Sequence, residues 1–284
     1  MDLKNILVAT DFSNEAYGAL YYATQLLASK PCTFHIINIY DDLTSSNQPQ
    51  KVLFIGEKEL TRLRTTSVEN LTKTAHKIAL DTGNTLHKFN IISSRGTITS
   101  VISQTIDDLQ IDLIVLGNKG KTGAKEIFMG SNTIRVANTI LQCPILAIPK
   151  EIAYVPQHEI AFVTDFEKGC SRRTLAPLLF LSSISKAAVK IIHILEGDRL
   201  SSSQVSNKKL LEITLAEVSY SFLDLVEFTN KAKVIQSYIS KEKISMLAMA
   251  YQRRKFFDRL FHEPLIKDLS IYAQIPFLIL PIRD

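Results

Sequence analysis

Ile6-Leu7-Val8-Ala9-Thr10-Asp11-Phe12 returns later in the chain as Ile160-Ala161-Phe162-Val163-Thr164-Asp165-Phe166. Both segments run near-continuously apolar and then break at Thr-Asp-Phe. A run of this length without alternation marks a strand buried on both faces, as in a parallel sheet. A second pair sits farther on, where Cys143-Pro144-Ile145-Leu146-Ala147-Ile148-Pro149 resembles Ile275-Pro276-Phe277-Leu278-Ile279-Leu280-Pro281. A chain that repeats its first and last strands is most simply a duplication. The second copy is the shorter, most of the loss lying between His193 and Ala250 as against His35 and Gly117. The junction falls at 150–157, a short polar connection bracketed by Pro149 and Pro156. The expected domains are 1–150 and 158–284.

Between these landmarks the first copy alternates strand and helix. Asn5 to Thr10 is the first strand, and Ser13 caps a helix that carries Tyr17, Leu20, Tyr21, Ala23, Thr24 and Leu27 at helical spacing. Strands follow at Thr33 to Ile39, Leu86 to Ile92, Asp112 to Leu116 and Ile145 to Ile148, with helices at Gly56 to Leu80, Ile98 to Leu109 and Asn132 to Leu141. Strands joined by helices of this length form right-handed parallel units. The expected fold class is therefore α/β, with two tandem doubly wound domains, each a five-stranded parallel sheet with helices on both faces.

Length and composition agree. At 284 residues the chain suits two domains, and 46% hydrophobic with 21% charged residues is ordinary for a globular protein. Disorder and collagen-like structure are excluded by only 10 glycines and 9 prolines. No apolar run approaches the roughly 18 residues of a spanning helix, and the N-terminal stretch is too short for a secretion signal, so a cytoplasmic chain without a membrane partner is expected. Cys32, Cys143 and Cys170 are too far apart for a disulfide framework or a zinc site and read as buried thiols. A net charge of +5 suits a small anion better than nucleic acid.

Ligands of open parallel sheets bind beyond the carboxyl ends of the strands. Two features of the first copy fall there. One is Thr10-Asp11-Phe12. The other is Gly117-Asn118-Lys119-Gly120-Lys121-Thr122-Gly123, continuing to Met129-Gly130-Ser131-Asn132-Thr133 at the start of the last helix. Glycine lets main-chain N–H groups approach phosphate oxygens, and a helix N-terminus adds unpaired donors and partial positive charge. Ser131 and Thr133 offer hydroxyls, and Lys119, Lys121 and Lys125 offer countercharge. A Walker loop is excluded, because its first glycine would have to be Val115, and no Gly-x-Gly-x-x-Gly occurs.

The spacing Gly117, Gly120, Gly130, Ser131, joined to Asp11 at the first strand's end, resembles the universal stress protein family. The likeness is to its ATP-binding branch, in tandem form with the adenine-nucleotide alpha-hydrolase-like fold. It spans essentially the whole chain, strongly in the first copy and faintly in the second. The resemblance implies that Asp11 lies against an adenine nucleotide (ATP, ADP or AMP, with magnesium as a companion of the phosphates). It implies that the main chain after the strand-two histidine, at Ile36, frames the base. It further implies that Gly117, Asn118, Lys119, Gly120, Gly123, Gly130, Ser131, Asn132 and Thr133 hold ribose and phosphates. Ala9 departs from the pattern, standing where ATP-binding members often have proline. The family's pairing through last strands implies an intramolecular pseudo-dimer of Ile145 to Ile148 with Phe277 to Ile282, and leaves a further homodimer open.

The second copy departs further. Ala250 and Arg253 stand at its first two glycine positions, and His262 and Glu263 at the Gly-Ser pair. Glu263 would repel phosphate. The expectation is one competent site and one degenerate one. Arg253, Arg254 and Lys255 read as a solvated surface. His35 and His193 read as satisfied core residues at equivalent points of the repeat. For Asp11 the plain alternative to ligand contact is a turn or helix cap. No catalytic constellation is legible, so at most slow hydrolysis is expected.

Overall fold

The structure is a computed structural model and describes residues 2–40, 56–118, 131–150, 152–195, 199–226, 238–239, 241–251 and 275–282. Its first half contains β1 (Asn5–Ala9), α1 (Asn14–Leu26), β2 (Cys32–Tyr40), α2 (Glu57–Thr82), β3 (His87–Arg95), α3 (Ile98–Leu109), β4 (Leu113–Gly117), α4 (Ser131–Thr139) and β5 (Ile145–Ile148). The second contains β6 (Glu159–Val163), α5 (Arg172–Ser185), β7 (Ala188–Leu195), α6 (Ser202–Leu215), β8 (Tyr220–Val226), β9 (Met246–Tyr251) and β10 (Phe277–Pro281). The strands form one ten-stranded sheet in the order β3-β2-β1-β4-β5-β10-β9-β6-β7-β8.

The two halves thus present the same strand order, reversed about a central seam. Every neighbouring pair is parallel except β5 and β10, which run antiparallel with Phe277 opposite Ala147, Leu278 opposite Leu146 and Ile279 opposite Ile145. The pairing of last strands expected from the sequence is present, and it merges two five-stranded arrays into a single sheet. Each array hides an otherwise open edge in the other.

Alternation along the strands sorts the core by sheet face. Ile6, Val8, Phe34, Ile36, Val115 and Leu146 point to one side, with Ile160, Phe162 and Leu278 of the second half, against α1, α2, α5 and α6. Leu7, Ile37, Ile114, Ala147, Ala161 and Ile279 point to the other, against α3 and α4. Both apolar clusters run through both halves. The connection between the halves belongs to the first of them. Ile152 and Tyr154 pack on it, Tyr154 meets Tyr22 of α1 edge-on at 5.2 Å, and buried Gln157 donates to the Tyr22 hydroxyl at 2.7 Å. This corrects the reading of a merely polar connection.

Helix ends follow local chemistry. Ser13 accepts from the Ala16 N–H and Ser171 from the Thr174 N–H, each satisfying a donor that the helix leaves open. Among the described residues no helix is long and apolar enough to cross a membrane. Cys32, Cys143 and Cys170 are all buried, and none is in a disulfide.

Two buried histidines tie stability to pH. Burial lowers the pKa of His35, and lowers that of His87 against the opposing pull of the Leu27 and Lys30 carbonyls. His35 Nε2 has no hydrogen-bond partner among the described residues, which corrects the expectation of a satisfied core histidine. Both folded pKa values lie below the unfolded value of about 6.5, so the unfolded chain binds protons first. Their stabilising contribution is present above that value and is lost as pH falls below it. His35→Leu removes both the titration and the orphaned nitrogen. Melting temperatures recorded between neutral and mildly acid pH are expected to fall less steeply for this variant than for the parent chain.

Candidate functional site

Strand order places a crevice at the carboxyl ends of β1 and β4. These neighbours send their following connections to opposite sides, and it is there that open α/β sheets leave room for ligands. Four segments of the first half converge on it: Thr10-Asp11-Phe12 after β1, the first turn of α1, the exit of β4 at Gly117-Asn118, and the first turn of α4.

The turn after β1 holds itself in shape. Thr10 Oγ1 accepts from the Phe12 N–H at 3.0 Å, and Asp11 Oδ1 accepts from the N–H of Ser13 at 3.0 Å and from its hydroxyl. Phe12 takes a left-handed φ of 65°. The second half repeats the device, with the Phe166 N–H donating to Thr164 Oγ1 at 3.1 Å, the Glu167 N–H to Asp165 Oδ1 at 2.9 Å, and Phe166 at φ 56°. Local hydrogen bonding of this kind lets a short acidic side chain organise a turn by itself. The plain reading of Asp11 as a turn former is therefore realised, and its carboxylate also stands exposed at the crevice.

Gly117 is fixed by close approach. A Cβ placed there would lie 2.8 Å from the Glu15 carbonyl oxygen and 3.2 Å from the Ala16 Cα. The glycine lets the backbone of α1 settle on the end of β4. Glu15 also receives Lys150 Nζ at 3.7 Å, which brings the residues after β5 to the same rim. Asn118 donates its N–H to the Ile148 carbonyl at 2.9 Å, and its Oδ1 accepts from the Thr133 hydroxyl at 2.9 Å. Thr133 is buried, so its hydroxyl ties α4 to β4. This differs from the expectation of a hydroxyl offered to a ligand. Ser131 and Asn132 stand exposed on the same first turn. Lys119, Gly120, Gly123 and Gly130 lie outside the described residues, as do Lys121, Thr122, Lys125 and Met129.

The structure does not bring Ile36 to the rim. It is paired with Val8 on one side and Ile91 on the other, fully buried in mid-sheet. Register explains the error. The Thr10 N–H donates to the Ile37 carbonyl, as the Thr164 N–H donates to that of Ile192. Asn38 therefore matches His193, and His35 matches Lys190, so the two histidines are not equivalent. The rim position after Asn38 is Ile39.

Asn38 is a residue holding the turn of the candidate site that sequence reasoning missed. Its amide donates to the Thr10 carbonyl at 2.8 Å and accepts from the Ser67 hydroxyl at 2.8 Å, while Ser93 donates to Ser67 at 2.8 Å. This chain of polar side chains joins β3, α2 and β2 to the turn carrying Asp11. Its sequence signal is an asparagine set among Ile36, Ile37 and Ile39 of β2.

In the second half the matching turn is packed against a helix. Pairing of β9 with β6 and β10 puts Ala250 opposite the same neighbours as Gly117, as the sequence implied. The extra methyl is accommodated because the cap of α5, Ser171, comes six residues after Asp165, whereas Ser13 comes two after Asp11. Phe166 is buried and lies 4.7 Å from the His193 ring, whose Nδ1 is 3.1 Å from Asp224 Oδ1. Helix α6 covers the turn, Gln204 donating to the Asp165 carbonyl at 2.9 Å and Asn207 to that of Phe166 at 2.8 Å. Arg253, Arg254, Lys255, His262 and Glu263 lie outside the described residues.

The model of the universal stress protein family matches residues 2–149. A universal stress protein of Methanocaldococcus jannaschii is 25% identical over 162 residues, covering 52% of this chain and 96% of the relative. The structure of a universal stress protein from Archaeoglobus fulgidus superposes with a TM-score of 0.73 at 14% identity, covering 100% of this chain and 98% of the other. A Pseudomonas aeruginosa protein of unknown function superposes with a TM-score of 0.57 at 13% identity, covering 98% and 92%. The two structures, at these identities, speak for the fold alone.

Proposed function

The chain belongs to the universal stress protein family, and from that premise we propose that its first half binds ATP or a related adenine nucleotide as a sensor or switch in a stress response. The observation that carries this reading is the β1/β4 crevice, with exposed Asp11 after β1 and exposed Ser131 and Asn132 on the first turn of α4, which Thr133 ties to the end of β4. Unpaired N–H groups and the partial positive charge of a helix N-terminus favour phosphate. Ser131 and Asn132 fit that role directly. Lys119, Gly120, Gly123 and Gly130 would supply the rest of the phosphate cradle, with magnesium neutralising charge between phosphate oxygens. Base contacts fall to the main chain at Ile39 in place of Ile36. Gly117 and Thr133 support the cradle through α1 and β4. The second half, with α6 bonded to its matching turn, acts as a partner without a nucleotide of its own.

The Thr-Asp-Phe turn persists in both halves, which favours a second reading: Asp11 only shapes the turn, and the protein is a nucleotide-independent scaffold. Calorimetric titration with ATP and magnesium separates the two. Saturable heat with the parent chain, at least tenfold weaker binding in Gly130→Val and little change in Arg253→Ala is the expected result (~1.4 kcal/mol per tenfold). Asp11→Asn keeps the acceptor oxygen for Ser13 and removes the charge. A melting temperature close to that of the parent, with altered ATP affinity, supports contact between Asp11 and the ligand. Absence of heat and of any thermal shift at millimolar ATP would sink the binding reading. Turnover near or above about 1 per second would instead make the protein a hydrolase.

A further inference from the structure

A second concavity lies at the opposite, amino end of the strands. It is a cleft of about 630 Å³ formed by the residues entering β1, the turn between α1 and β2, the start of β3, and Phe180 of α5 from the second half. Lys4, Lys30 and Lys88 line it from three separate segments, and all three are exposed. None of them makes an ion pair among the described residues, whereas Lys150 and Lys190 each have a glutamate within 4 Å. The nearby Asp112 carboxylate is already taken by the N–H groups of Lys4 and Asn5 at 2.8 and 2.9 Å. Asp2 is the single acid among the described residues of the lining, so these residues carry net positive charge. A concave wall of one sign concentrates counterions far better than scattered surface charges do.

The lining also has an apolar component. Leu3 and Phe180 are buried behind it, and Leu86 stands 46% exposed at its margin. We propose that this cleft binds a small amphipathic anion, in which a carboxylate or phosphate headgroup meets Lys4, Lys30 and Lys88 and an apolar body lies along Leu86 and the edge of Phe180. The volume suits one such molecule, since sites for small organic ligands occupy roughly 300–1,000 Å³. Cys32 lines the cleft as well, but burial and the charge of Asp112 push its thiol up to about 11. It is held neutral, and the binding is non-covalent. Because Phe180 comes from the second half, an occupant bridges the two halves. The site is distinct from the β1/β4 crevice and does not depend on nucleotide binding there.

Calorimetry on the full chain with octyl phosphate, octanoate, octyltrimethylammonium and inorganic phosphate tests the proposal. Both amphipathic anions are expected to bind once per chain with dissociation constants of ~10–100 µM. The cation is expected to give no saturable heat, and inorganic phosphate to bind at least tenfold more weakly. Lys30→Gln/Lys88→Gln changes only exposed side chains and is expected to weaken both anions about tenfold. Leu86→Ser is expected to weaken octyl phosphate while leaving inorganic phosphate unchanged. Saturating ATP should not alter any of these affinities. Equal binding of the cation, an unchanged affinity in the double lysine variant, or competition by ATP overturns the proposal. Inorganic phosphate binding as tightly as octyl phosphate would also overturn it, by leaving only a charged patch.

Discussion

Gly117→Val is expected to lower the melting temperature by about 5–10 °C, a cost of ~2–3 kcal/mol for forcing a side chain into packed backbone. The size follows from what the Cβ meets. Its nearest neighbours are the Glu15 carbonyl oxygen at 2.8 Å, the Glu15 carbonyl carbon at 3.1 Å and the Ala16 Cα at 3.2 Å, all main-chain atoms of the first turn of α1. A flexible side chain would swing aside, but a helix backbone moves only with its whole element. That element packs Ala19, Leu20 and Ala23 into the core, so displacing it disturbs an extended surface. The second half supplies an internal control. Ala250→Gly at the matching position is expected to cost at most about 1 kcal/mol, because the longer turn before α5 already makes room for the methyl group. Thermal unfolding followed by circular dichroism checks both. Equal shifts for the two variants would mean that approach of α1 does not fix the residue at 117.

This expectation changes how the glycine motif is used as a functional test. Gly117 lies in the motif that points to a phosphate site, yet the first effect of enlarging it falls on α1. Loss of nucleotide binding in a Gly117 variant would therefore report folding and binding together. Gly130 and Asp11→Asn are the cleaner probes, the latter because an asparagine oxygen still accepts from Ser13.

The strands and helices of the first half were legible because each carries its own period. An apolar run with both faces buried gives β1, β4 and β5, and helical spacing behind Ser13 gives α1. The carboxyl-end placement of Asp11, Asn118 and Ser131 followed from strand order alone. Register was not legible. Both strand-two segments carry a histidine, and matching His35 to His193 shifted the alignment by three residues, which put the position after the histidine at buried Ile36, three residues short of Ile39 at the rim. Parallel pairing is set by backbone hydrogen bonds, such as those from Thr10 to Ile37 and Thr164 to Ile192, and the residue types leave no trace of it. The connection between the halves was misread for a related reason. Gln157 is polar in sequence and buried in the structure, where Tyr22 from a distant helix supplies its partner.

The seam between β5 and β10 carries the other large expected effect. Leu278→Asp is expected to cost more than ~4 kcal/mol and to abolish a folded full-length chain at ordinary temperatures, because an unpaired carboxylate cannot be buried in an apolar site. Leu278 is fully buried, faces Leu146 across the antiparallel pair and Ala248 across the parallel one, and belongs to the apolar cluster that contains residues of both halves. The seam is short, with three facing positions, so it holds through packing of these side chains more than through its few ladder hydrogen bonds. Leu278→Ala separates the two contributions. It leaves the backbone ladder intact and deletes the packing, for an expected loss of about 2–4 kcal/mol. If the halves stand only together, calorimetric unfolding of Leu278→Ala should remain a single transition at lower temperature. If each half holds its own structure, the transition should split in two, with the second half melting first because a shorter chain buries a smaller fraction of its surface. A melting temperature unchanged by Leu278→Ala would show that packing at Leu278 is not what holds the two arrays in one sheet.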